Sequence, residues 1–220
     1  MSKKRKGFIF DLDGVIVDTA KYHFLAWKRL ANGLGIDFSE KENEQLKGVS
    51  RVRSLEKILS WGNKTLSEAE FEKLMALKNE DYLSYINKMD ENELLPNVKK
   101  TLLYLKDKHQ AIALGSASKN ARFIIEKVNV GQLFDTIVDG TDVSKAKPDP
   151  EVFLIAAKSL KISPENCIVF EDSVAGIDAA NAANMISIGI GEPDVLGRAH
   201  YIFKDFTQIS EEFLNELINA

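Results

Sequence analysis

Two aspartates one residue apart, Asp11 and Asp13, follow directly on the apolar run Phe8-Ile9-Phe10 and precede Gly14. A turn or a helix cap accounts for either aspartate singly, but it accounts poorly for two mutually repelling carboxylates behind so apolar a run. A second acidic pair, Glu171-Asp172, follows Ile168-Val169-Phe170 and is trailed by Ser173 and Gly176. Paired acids of this kind suit a hard divalent cation held by oxygen ligands. Two further stretches carry the complementary chemistry. Gly115-Ser116-Ala117-Ser118-Lys119-Asn120 follows Ala111-Ile112-Ala113-Leu114 and feeds a helical pattern, where hydroxyls and free backbone N–H groups can hold a phosphate. Lys145-Ala146-Lys147-Pro148-Asp149-Pro150 presents lysine from a proline-stiffened loop ahead of a helix beginning near Pro150. Taken alone, a serine there is an ordinary N-cap and a lysine an ordinary solvated cation. Taken together, the four stretches match metal-assisted phosphoryl transfer, with Asp11 as a nucleophile that becomes an acyl phosphate.

Such a set works only if one scaffold brings the four stretches to one place. The apolar runs named above, with Thr136-Ile137-Val138 and Ile186-Ser187-Ile188-Gly189-Ile190, read as parallel strands buried on both faces. Amphipathic patterns lie between them: Val98, Leu102 and Leu105; Ile124, Ile125 and Val128; Phe153, Leu154, Ala157 and Leu160. The alternation predicts a doubly wound, Rossmann-like α/β core, in which ligands gather beyond the carboxyl ends of the strands. From about Thr19 to about Glu93 the rhythm changes to long helical patterns with no buried strand. The expected organisation is therefore a core of residues 1–17 and 94–220 with an inserted helical domain of residues 18–93.

The 220 residues are 45% hydrophobic and 28% charged, values ordinary for soluble globular domains, and no apolar run approaches the ~20 residues of a membrane helix. A net charge of −4 with interspersed signs argues against a nucleic-acid surface and leaves the basic N-terminus as a solvated tail. The single cysteine, Cys167, reads as a small buried apolar residue. A monomeric cytoplasmic enzyme with neither nucleic-acid nor membrane partner is expected.

Asp11, Asp13, Ser116, Lys147, Glu171 and Asp172 fill, in order, the motif positions of the haloacid dehalogenase superfamily, which the chain resembles; the helical insert resembles that superfamily's small α-helical cap. A closer resemblance, to the β-phosphoglucomutase family, rests on residues 10–15, Asp18-Thr19, Tyr22-His23, Ala26-Trp27, residues 44–51 with Gly48-Val49-Ser50-Arg51, Ser116-Ala117-Ser118-Lys119-Asn120 and Glu171-Asp172-Ser173. It implies Asp11 as the phosphorylated nucleophile and Asp13 as acid/base at the sugar oxygen. It implies Mg²⁺ held by Asp11, Glu171, Asp172 and the backbone carbonyl of Asp13, and Ser116 and Lys147 balancing charge on the transferring phosphoryl group. The implied reaction converts β-D-glucose 1-phosphate to D-glucose 6-phosphate through a β-glucose 1,6-bisphosphate intermediate, which also serves as activator.

The resemblance implies that Arg51, Ser118 and Asn120 hold the non-reacting phosphate, with Gly48, Val49, Ser50, Ser54, Ser116, Ala117 and Lys119 as further substrate-binding candidates. Arg51 could equally be an exposed helix-start arginine. His23 shares a helix face with Thr19 and Trp27 and could be packing or a closure sensor. Trp27 and Lys78 are substrate-pocket candidates that could equally be core and solvated residues. Two alternatives stay open: a sugar-phosphate phosphatase with the same nucleophile, and a non-catalytic phosphosugar-binding module.

Overall fold

The computed structural model describes residues 5–46 and 49–220, which divide into two compact units, Met1–Asp18 with Asp90–Ala220, and Thr19–Met89. The first unit begins with β1 (Gly7–Phe10), every residue of which is buried. The second unit is helical: α1 (Ala20–Gly33), α2 (Glu40–Glu44), α3 (Arg51–Trp61) and α4 (Glu68–Ile86). Its starts are set by local chemistry. Ser39 and Ser67 each close a capping box, with Glu42 and Glu70 respectively, so the orphan N–H groups of α2 and α4 are satisfied. Trp27 and Ala31 of α1 and Leu55 and Ile58 of α3 form its core at helical spacing, together with Phe38 from the segment before α2.

The chain returns to the first unit through Leu94, which bridges Val17, while Leu95 donates to the carbonyl of Ile16. There follow α5 (Val98–Asp107), β2 (Ala111–Gly115), α6 (Ala121–Lys127), β3 (Thr136–Val138), α7 (Glu151–Leu160), β4 (Cys167–Glu171), α8 (Val174–Ala182), β5 (Ile186–Ile190), α9 (Pro193–Leu196), β6 (Tyr201–Phe203) and α10 (Glu211–Asn219). The six strands are all parallel, in the order β3-β2-β1-β4-β5-β6. Strand order reverses between β1 and β4, the switch point where an open parallel sheet leaves a crevice. One face of the sheet is an aromatic stack, with the Phe10 and Phe170 ring centroids 4.6 Å apart and Phe170 and Phe206 5.3 Å apart. The other is small and aliphatic, Ile9, Ala113 and Val169 meeting Phe153 and Ala156 of α7. Burying one such large side chain contributes about 1.5–3 kcal/mol, so the strand tips stand on a stiff base.

Two expectations need correction. Arg5 and Lys6 do not belong to a solvated tail. Arg5 donates to the carbonyls of His109 and Gln110 and pairs with Asp135 at 2.9 Å, while Lys6 is buried with its ammonium 3.3 Å from Asn166. The physical reason is that the chain entering β1 must satisfy its polar groups beside the neighbouring strand. The sixth strand is also additional to the five read from the apolar runs. Tyr201-Ile202-Phe203 is short and only partly buried, so the continuous apolar signal of a central strand is weak there.

Candidate active site

β1 and β4 are adjacent and in register, Phe10 beside Phe170, so the residues that follow them emerge side by side. Asp11 donates its backbone N–H to the carbonyl of Phe170, which fixes the first acid against the second strand's tip. Carboxylate oxygens of Asp11, Glu171 and Asp172 lie within 4.8 Å of one another. Two of these acids are buried and Asp172 is half-buried. The side chain of Asp13 stands outside this cluster, half-buried, and the residue bridges Val17.

Lys147 answers part of that charge. Its ammonium is 2.6 Å from Asp11 Oδ1 and 2.8 Å from Glu171 Oε1, with only 2% of the side chain exposed. Burial alone would lower the Lys147 pKa, but the Asp11 and Glu171 carboxylates outweigh it and hold the lysine above its usual value. Burial, against the pull of Lys147 and with the push of Glu171, raises Asp11 to about 6. Asp172 is pushed well above the carboxylate range by burial and then by Glu171, Asp11 and Asp13. Fully ionised, three acids and one ammonium would leave two negative charges uncompensated. An oxygen-only donor set with that deficit fits a divalent cation of the hard class.

Glycines shape the cradle. Gly14 has φ of +77°, and a Cβ there would fall on the Asp172 carboxylate. At Gly176 a Cβ would fall on the Glu171 carboxylate, so α8 can approach that acid only with glycine at its first turn. Glu171 is held from the other side by Ser173, whose backbone N–H donates at 2.9 Å and whose hydroxyl caps α8. Ser173 is absent from the sequence-derived candidates, although serine directly behind an acidic pair at a helix start was the signal for it.

Ser116 is buried at the tip of β2 and its hydroxyl accepts from the Ser118 N–H at 3.1 Å; the Ser118 hydroxyl in turn accepts from the Asn120 N–H. Ala117 and Ser118 are half-buried, Lys119 is exposed and Asn120 precedes α6. A Cβ on Gly140 would meet the carbonyl oxygen of Ala117, so the turn after β3 braces this loop.

In the helical unit, Lys78 is buried, not solvated. Its ammonium lies 2.8 Å from His23 Nδ1 and 4.7 Å from the ring centroids of both Trp27 and Tyr82. The burial of a lysine is offset there by the faces of two aromatic rings. His23 is half-buried and stacked on Tyr82 at 4.1 Å. Burial, then Lys78 and Arg51, hold its pKa well below the usual value, so as a neutral ring it accepts a hydrogen bond from the Lys78 ammonium. Ser50 caps α3, Ser54 donates to the Ser50 carbonyl at 3.1 Å, and Val49 donates to Leu46. Arg51 opens α3 and is half-buried, which lowers its pKa. Gly48 lies outside the described residues.

The family model of the haloacid dehalogenase-like hydrolases matches residues 5–184 of this chain. The chain belongs to that family. Within it, the β-phosphoglucomutase of Bacillus subtilis is 42% identical over 213 residues, 96% of this chain and 94% of that protein. The crystal structure of a β-phosphoglucomutase from Clostridium difficile superposes with a TM-score of 0.93 at 43% identity, covering 98% of each chain. A fructose-1-phosphate phosphatase of Escherichia coli is 30% identical over 86% of this chain and 98% of its own length. The relatives thus include proteins named as a mutase and as a phosphatase.

Proposed function

We propose that this chain is a β-phosphoglucomutase, interconverting β-D-glucose 1-phosphate and D-glucose 6-phosphate. The observation that carries the reading is the identity of 42% to the Bacillus subtilis enzyme over 96% of the chain, helical unit included. The cluster of Asp11, Glu171 and Asp172 beside Lys147 supports it.

In this reading an Asp11 carboxylate oxygen attacks phosphorus, the bond from phosphorus to the sugar oxygen breaks, and Asp13 delivers a proton to that leaving oxygen. In the other direction Asp13 takes the proton from a sugar hydroxyl, whose oxygen attacks the phospho-aspartate. Lys147 and Ser116 balance charge on the group in transit. Asp11, Glu171, Asp172 and the Asp13 carbonyl would hold Mg²⁺, which would supply the remaining positive charge. Glucose 1,6-bisphosphate is the intermediate that turns over between half-reactions, which requires a grip on the phosphate that is not reacting. In the helical unit Arg51 is assigned that grip, and His23, Trp27, Lys78, Val49, Ser50 and Ser54 are assigned to substrate binding; in the α/β unit Ser118 and Asn120 are assigned to phosphate binding.

The phosphatase relatives favour a second reading, in which water attacks the phospho-aspartate. One assay separates the two: β-glucose 1-phosphate, Mg²⁺ and a trace of bisphosphate, with glucose 6-phosphate measured against free phosphate. Glucose 6-phosphate in excess supports the mutase, and free phosphate alone overturns it in favour of the phosphatase. Activity should vanish in EDTA and return with added Mg²⁺.

A further inference from the structure

Lys147 needs its ammonium placed between Asp11 and Glu171, yet residues 139–150, which carry it, run as turns without helix or strand. Something must fix that loop. Glu151, in the first turn of α7, reaches back to it. Its Oε2 accepts the backbone N–H of Ser144 at 2.7 Å and that of Lys145 at 2.6 Å, and its Oε1 accepts from the Ser144 hydroxyl at 2.9 Å. Asp149 ties the two ends together, accepting the Glu151 N–H at 3.0 Å and pairing with the Lys145 ammonium at 3.3 Å. The helix that bears Glu151 is itself anchored, with Val152 and Phe153 buried in the core against Ile9 of β1. The hydrogen bonds from Lys145 and Ser144 hold the Glu151 carboxyl below its usual range.

We propose that Glu151 is a positioning residue for Lys147, a clasp that transmits the rigidity of the sheet core through α7 to the loop bearing the lysine. The proposal rests on the reading of Lys147 as the cation that balances the transferring phosphoryl group. An acid in a helix's first turn also stabilises the helix through its dipole, and a role confined to that would depend on charge alone. The clasp depends on reach and on acceptors. A glutamine keeps both: its amide oxygen can accept the two backbone N–H groups while its NH₂ donates to the Ser144 hydroxyl. An aspartate keeps the charge at the helix start but is one methylene too short to reach the loop.

Two readouts on the full chain test this. The first is kcat and KM with β-glucose 1-phosphate and Mg²⁺. The second, which needs no turnover, is the rate at which acetic anhydride acetylates Lys147, followed by peptide mass spectrometry. Glu151→Asp and Glu151→Ala are expected to lower kcat by about 10- to 100-fold with KM changed by less than about threefold, and to speed acetylation of Lys147 severalfold. Glu151→Gln is expected to stay within about threefold of wild type in both. Ser210→Ala, which removes the N-cap of α10, provides a variant of lowered stability that should leave both readouts unchanged. The clasp is overturned if Glu151→Asp matches wild type in both readouts, if Glu151→Gln fails as fully as Glu151→Ala, or if Ser210→Ala reproduces the effects. A wild type without phosphosugar turnover would sink the functional reading, while the acetylation rates would still decide for or against the clasp.

Discussion

The α/β unit and the helical unit both bury a lysine, and they do so by opposite means. Lys147 lies against two carboxylates at the tips of neighbouring strands, whereas Lys78 lies over two aromatic rings and against a neutral imidazole. The first arrangement is a cluster of mutually strained charges, still short of positive charge, held in place by β1 and β4, every residue of which is buried. In the second, the Lys78 ammonium faces the rings of Trp27 and Tyr82 and the imidazole of His23. The difference teaches where each unit can act. A site of pre-placed, under-neutralised acids is suited to making and breaking bonds to an anion, and a unit with cations and rings is suited to recognising one.

The sharpest way to break that contrast is to remove the nucleophile. Asp11→Asn keeps the shape but is neither a nucleophile nor an anionic metal ligand, so kcat should fall by more than about a thousandfold, a barrier rise above ~4 kcal/mol. Thermal melting should show the fold intact, since the amide relieves rather than creates repulsion beside Glu171. Residual activity above that level would remove Asp11 from the role. Asp13→Asn comes next. General acid/base help supplies ~10²–10⁴-fold, so its loss should lower kcat within that range and alter its pH dependence. A kcat that is nearly unchanged from acid to alkaline pH would exclude Asp13 as the proton carrier.

These two residues were legible in the sequence for a physical reason. Strands buried on both faces print as unbroken apolar runs, so polar residues at their ends stand out, and Asp11, Ser116 and Glu171 were all found that way. Where an element is short or half-exposed the same signal fades, as at Tyr201–Phe203. Side chains whose role depends on partners far along the chain stayed ambiguous. Lys78 read as easily solvated as buried, because nothing local says that Trp27 and Tyr82 will cover it. Nothing in the sequence marks Glu151, because its hydrogen bonds to Ser144 and Lys145 depend on a loop conformation that composition does not encode.

Arg51 sharpens the division of labour. Losing one charge-assisted partner of a phosphate costs roughly 2–4 kcal/mol, so Arg51→Ala should lower kcat/KM for phosphosugar isomerisation by about 30- to 1000-fold. Arg51→Lys should recover only part, since an ammonium cannot form the two-pronged contact of a guanidinium. Hydrolysis of acetyl phosphate, which has no second phosphate, should change far less. Equal losses on both substrates would make Arg51 a structural residue of the helical unit.

The smallest expected effect concerns stability and tests the neutral imidazole beside Lys78. His23 Nδ1 faces the Lys78 ammonium at 2.8 Å, with the Tyr82 ring stacked on one side. Protonating Nδ1 would replace an accepted hydrogen bond by a contact between two cations. Burial, Lys78 and Arg51 therefore hold the folded pKa well below the unfolded value, which is about 6.5. The sign follows from proton counting. Between the two pKa values the unfolded chain binds the proton and the folded chain does not, so acid favours unfolding. The contribution of His23 is complete above about pH 6.5 and is lost as pH falls below it, at a limiting slope of about 1.4 kcal/mol per pH unit. His23→Asn places an amide oxygen where Nδ1 accepts and cannot titrate in this range. Urea midpoints measured from pH 8 to pH 5 should fall more steeply for wild type than for the variant below pH 6.5, and run parallel above it. Parallel curves across the whole range would mean that His23 takes up its proton in the folded unit as readily as in the unfolded chain, and that Lys78 is not donating to it.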